Sequence, residues 1–114
     1  MKTKIYFIES STDFNDNDLN SSLISGSEKT LINISKELSK NSELIVKVFN
    51  NTKKESFSKN LEWINIKNIN KYPSPDFLVA MSDANLLTNI NCKKKFLWSH
   101  SVQPIEKFLR KKQF

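Results

Sequence analysis

Short apolar runs alternate with longer polar stretches along this chain. "KIYFI", residues 4–8, is the first run and reads as a strand buried on both faces. A polar loop, "ESSTDFNDNDLNSSLI", then runs from 9 to 24. Most strand-to-helix connections take about 2–6 residues, so a loop this long in a compact domain points to function. "SGSEKTLINISKELSKN", residues 25–41, has a helical period. Leu31, Ile34 and Leu38 recur on one face and Ile32 widens the stripe, which predicts a helix over 27–40. Ser25 or Ser27 caps its start, Glu28 suits the positive end of the dipole, and Asn41 is a stop.

Four further runs read as strands, at 44–49, 61–66, 77–81 and 95–99. The polar stretch 50–60 has room for a turn or two of helix, and 82–89 for one helical turn. Pro73 and Pro75 mark the turn before the fourth strand. "PIEKFLRKKQF" reads as a final helix with Pro104 in its first turn and Ile105, Phe108 and Leu109 on one stripe. This order predicts an α/β fold: a Rossmann-like, mostly parallel sheet flanked by helices, as one domain over 1–114.

Composition narrows the picture only a little. Cys92 is the single cysteine, so no internal disulfide forms, which fits a reducing cytoplasm. The first apolar run is too short for a signal peptide, and no stretch is long enough to span a bilayer. A net charge of +6 favours anionic partners. The lysines are dispersed, however, apart from 93–95 and the basic run at 110–112, so most belong to a solvated surface. The basic final helix suits peripheral contact with an anionic membrane face, but the preferred reading packs its stripe on the sheet and leaves its lysines in water. With no recognisable reading helix or aromatic platform, nucleic acid is not an expected partner.

In an open parallel sheet, ligands bind at the carboxyl ends of the strands. Two features fall there. One is the loop after the first strand, leading into a helix opened by Gly26, the only glycine. Glycine allows close approach of backbone to a ligand, and helix N-terminal amides favour phosphate. The other is His100, the only histidine, just past the fifth strand. A structural or merely exposed histidine is the competing reading. Asp16 and Asp18 make a D-x-D pair of the sort that holds metal–nucleotide complexes, but the offsets of a calcium loop are wrong. A flexible acidic loop is the preferred reading. One Cys and one His disfavour zinc. Dinucleotide, P-loop and serine-hydrolase signatures are missing from the sequence.

The succession of "KIYFI", "SGSEKTLINISKELSKNSELIVKVF", "SPDFLVAMS" and "KKFLWSH" resembles the N-terminal half of a GT-B glycosyltransferase, most like the retaining family 4 enzymes. The resemblance spans nearly the whole chain and rests on the order of its short motifs. It implies sugar transfer, with retention and with no essential metal or other cofactor, from a nucleotide-sugar donor to a glycan, lipid or polysaccharide-precursor acceptor, as in cell-envelope polysaccharide synthesis. It implies a catalytic role for His100 near the donor sugar, and donor binding at Gly26, Ser27 and Glu28. The family's paired glycines are Ser25 and Gly26 here, which bears on how closely donor phosphates approach. The resemblance also implies a second, C-terminal Rossmann domain outside these residues, without which the chain is inactive. The alternative is a non-enzymatic α/β module that binds a nucleotide or a partner.

Overall fold

The computed structural model describes residues 2–10, 13–21, 25–81, 83–88 and 90–98. Six strands form one mixed sheet: β1 (Thr3–Ile8), β2 (Leu44–Asn50), β3 (Ser56–Ser58), β4 (Leu61–Asn65), β5 (Phe77–Met81) and β6 (Lys94–Trp98). Their order across the sheet is β3-β4-β2-β1-β5-β6. All neighbours pair in parallel except β3 with β4. Taken alone, the parallel strands run third, second, first, fourth, fifth, the order that opens a doubly wound sheet. Chain direction across the sheet reverses between β1 and β5.

The centre of the sheet explains the continuous apolar runs. β1 is flanked on both sides, with Phe7 opposite Val48 of β2 and Val79 of β5. Its alternate side chains enter different cores. Phe7 joins Leu31, Ile32, Val46, Val48, Leu61 and Trp63 on one face. Tyr6 and Ile8 join Phe49, Ile64, Leu78 and Ala80 on the other. A strand buried on both faces needs apolar residues at every position, so period-two alternation is lost.

α1 (Gly26–Ser39) covers the first face. Its buried line is Glu28, Leu31, Ile32 and Ser35, rotated from the expected Leu31–Ile34–Leu38 stripe; Ile34 and Leu38 are only half-buried. Ser35 is tolerated there because its hydroxyl donates to the Ile32 carbonyl at 3.0 Å. A small, self-satisfied side chain lets the helix sit close to the sheet.

Two details differ from expectation. The 50–60 stretch, read as a polar connection with room for at most a turn or two of helix, contains a short edge strand, β3, joined to β4 through Lys59 and Asn60. Asn60 has φ 71°, a left-handed conformation that asparagine accepts more readily than most residues. α1 is the one α-helix among the described residues. The second face is covered by 3-10 helices at Ile66–Lys71 and Ala84–Leu87. Ile66 and Ile69, three apart, both pack there, because a three-residue turn stacks i on i+3. The third expected strand is one residue shorter, since Ile66 already belongs to the 3-10 helix. The expected final helix and His100 lie outside the described residues, as does Ser99. No helix among the described residues is long and apolar enough to cross a membrane.

Asp76 ties the amino ends of three strands together. Its carboxylate accepts the Lys4 amide at 2.8 Å and pairs with Lys93 at 3.2 Å. Its backbone N–H donates to the Lys4 carbonyl and its carbonyl accepts the Lys94 amide. The Lys4 amide first, and then Lys93, hold the carboxyl below the usual range. A depressed carboxylate contributes stability above its unfolded pKa and loses it as pH falls through the folded value. Asp76→Asn is therefore expected to melt below the wild type at neutral pH. The gap should close as pH falls below about 4, the unfolded value of an Asp. Melting curves across that range check it; a gap independent of pH would remove the carboxylate from the account.

Candidate functional site

The carboxyl ends of β1, β2, β4 and β5 share one rim with the start of α1. Two loops build it. The β1–α1 loop expected to be a flexible acidic stretch is anchored by its own side chains. Phe14 is buried and meets Trp63 edge-on, with ring centroids 5.4 Å apart. Asn15 caps a 3-10 helix at Asp16–Asp18: its side chain accepts the Asn17 amide, and the Asp18 carboxylate accepts the Asn15 amide at 2.9 Å.

The β2–β3 loop holds the first loop through amides. Buried Asn50 donates from Nδ2 to the Phe14 carbonyl at 2.8 Å and accepts the Thr52 amide at 3.1 Å. Asn15 donates to the Lys54 carbonyl at 2.8 Å, and the Lys53 amide donates to Asp13 at 2.9 Å. Asn51 donates to the Ser10 carbonyl. Between the loops lies a cavity of about 320 Å³, lined by Asp13, Asn15, Asn17, Asp18, Thr52, Lys53 and Lys54. Its wall mixes carboxylates, ammonium groups, amides and a hydroxyl, which suits a polar, hydroxyl-bearing molecule better than an apolar one. Sequence reasoning missed this clamp. The signal was the "NNT" at 50–52, where turn-forming side chains directly follow an apolar strand.

The start of α1 is ordered by its own residues. Ser25 is the N-cap: its hydroxyl accepts the Glu28 amide at 3.2 Å, and the Glu28 carboxylate accepts the Ser25 amide at 2.7 Å. Ser27 lies next to this box, its hydroxyl 3.0 Å from that of Ser25. Two helix-end amides are thereby satisfied. Glu28 is nearly buried and engaged within the fold. Gly26 has no positive φ, and a Cβ built on it would meet nothing within 4 Å. Neither backbone conformation nor packing among the described residues requires glycine there.

The D-x-D pair divides its duties. Asp18 closes the capping box, whereas Oδ1 of Asp16 is buried without a partner among the described residues. Nowhere among those residues do three His, Cys, Asp or Glu side chains gather as metal ligands. Trp98, the last described residue of β6, lies at this rim, and His100 follows two residues later outside the described residues.

The structure thus brings Gly26, Ser27 and Glu28 together at one helix start and adds the neighbouring cavity; the His100 assignment lies outside the described residues. No protein-family model, curated protein or solved structure matches the chain.

Proposed function

We propose that the chain is the N-terminal, acceptor-side domain of a GT-B, retaining family 4-like glycosyltransferase. It would act with a C-terminal Rossmann domain that carries most of the nucleotide-sugar site. The observation that supports this most is the strand order. It sets the reversal point between β1 and β5, and from β1 the chain passes through the clamped loop to the capped start of α1. Ligands in such sheets bind outside the carboxyl ends at that reversal.

In this reading the polar cavity between the two loops receives the hydroxyls of a glycan or lipid-linked acceptor. The α1 start, with Gly26 at its first turn, faces the donor. Helix N-terminal amides stabilise the phosphate charge that grows as the sugar–phosphate bond breaks. His100 hydrogen-bonds the donor sugar in the transition state and is not a nucleophile. Closure of the second domain excludes water, so the isolated half leaves the donor unreacted. A cytoplasmic setting, with the basic tail against an anionic membrane face, belongs to the same proposal.

Gly26 and Glu28 separate ligand contact from fold maintenance. Gly26→Ala is expected to change stability by no more than about 0.5 kcal/mol, as an exposed site with open space around it. In the two-domain enzyme the same change should raise the donor KM about tenfold if backbone approaches phosphate closely. Glu28→Gln keeps a capping box and should preserve stability, whereas Glu28→Ala should cost about 1 kcal/mol. Denaturation midpoints and donor titrations check both. An unchanged KM in Gly26→Ala would remove this helix start from the donor site.

A further inference from the structure

We infer that the second face of the sheet carries a separate subsite for a neutral hexopyranose ring, between the 3-10 helix at Ile66–Lys71 and the segments entering β5 and β6. This lies at the amino ends of those strands, away from the rim described above. A cavity of about 240 Å³ opens there. That is smaller than the roughly 300–1,000 Å³ of sites for drug-sized ligands, and suits one small ring. Its lining combines an apolar floor with a polar mouth. Tyr6 and Pro75 are buried at the floor and Tyr72 is half-buried. Asn70, Ser74 and Asn91 are exposed at the mouth, and no side-chain hydrogen bond to another described residue commits them.

Charge decides the ligand class. The lining among the described residues has no Lys, Arg, Asp or Glu. Around it, Lys47 is paired with Glu62 and Asp76 with Lys93, and exposed Lys71 stands between Asn70 and Tyr72 in sequence. Burial first, and then Glu62, push the Tyr6 hydroxyl up to about 12, so it stays neutral. It donates to the Pro73 carbonyl at 2.7 Å and keeps lone pairs to accept a bond. Within the lining itself an anion meets no cation and a cation no carboxylate. A pyranose has apolar C–H faces for aromatic and proline surfaces, and rim hydroxyls for amides and a serine.

The aromatic floor is preorganised. Tyr72 meets Phe49 edge-on at 5.6 Å, and the Lys47 ammonium lies 4.9 Å from the Tyr72 ring centroid. Phe49 in turn meets Tyr6 at 5.0 Å. A ring held by its neighbours loses little entropy when a ligand stacks on it. The inference is independent of the transferase reading, because it uses neither the rim nor His100.

The test is a backbone-amide NMR titration of the full chain with methyl α-glucopyranoside and methyl α-mannopyranoside. Cyclohexanol and glucose 6-phosphate serve as controls. At least one glycoside should give saturable, millimolar shifts confined to Asn70, Tyr72, Ser74, Asn91 and their neighbours. Tyr72→Ala should weaken that binding about tenfold, and so should the exposed double change of Asn70→Ala and Asn91→Ala, which spares the core. Either of two results overturns the inference: no saturable shift at these amides with either glycoside, or cyclohexanol or glucose 6-phosphate binding there as well as the glycosides.

Discussion

Asn50→Leu should cost about 2–5 kcal/mol of folding stability, although it exchanges one buried side chain for another of similar size. The substitution removes the donor to the Phe14 carbonyl and the acceptor for the Thr52 amide. Each buried polar group left alone costs about 1–3 kcal/mol, and two are left here. Domains of this size are stable by only about 5–15 kcal/mol, so the loss is a large share. The effect should appear as a lower denaturation midpoint with an unchanged m-value. Asn51→Ala is the control. Asn51 is exposed and its one bond, to the Ser10 carbonyl, faces water, so its loss should cost under about 1 kcal/mol. Equal losses at the two positions would mean that the loops are not clamped through the buried amide.

The second large effect concerns His100. In the proposed two-domain enzyme, His100→Ala should lower kcat about 100-fold and leave the melting temperature nearly unchanged. A hydrogen bond made to the sugar mainly in the transition state acts on kcat, and losing one such positioned donor typically costs about 10²–10³-fold. A structural histidine gives the opposite pattern, lost stability with near-normal turnover per folded molecule. Melting curves and initial rates on the same preparation decide between them.

The centre of this fold was legible in the sequence because its strands are apolar at nearly every position. "KIYFI", "LIVKVF" and "FLVAM" become β1, β2 and β5, each flanked by strands on both sides. α1 was legible from its period and caps, but its rotation was not. Polarity alone gave no reason to bury Glu28 and Ser35, which satisfy themselves through the capping box and the Ile32 carbonyl. β3 escaped notice because three residues carry no period, and an edge strand needs few apolar contacts. The covering of the second face was hidden for a related reason: the 3-10 helix at Ile66–Lys71 packs half-buried Ile66 and Ile69 against it, one per turn, within otherwise polar sequence.

The candidate site was legible as a place more than as a set of residues. Parallel strands locate a rim, and Gly26, Ser27 and Glu28 lie on it. The Asn15, Asn50 and Thr52 clamp was not foreseen, because its bonds run between loops about forty residues apart in sequence, where no local spacing rule applies. "SPDFLVAMS", which includes Asp76, carried part of the family resemblance. The structure gives that Asp76 a tether at the opposite end of the strands, which is reason enough for an acid there without any contact to a ligand.

The most direct test of the account is sugar transfer itself. The longest product of the reading frame that carries this chain, and the 114-residue chain alone, would be given a panel of nucleotide-sugars with glycan and lipid acceptors, and the anomeric configuration of any product determined. The account predicts transfer with retention by the longer protein and none by the chain alone. Turnover by the 114-residue chain, inversion at the anomeric carbon, or failure of the longer protein to transfer or hydrolyse any donor would contradict it.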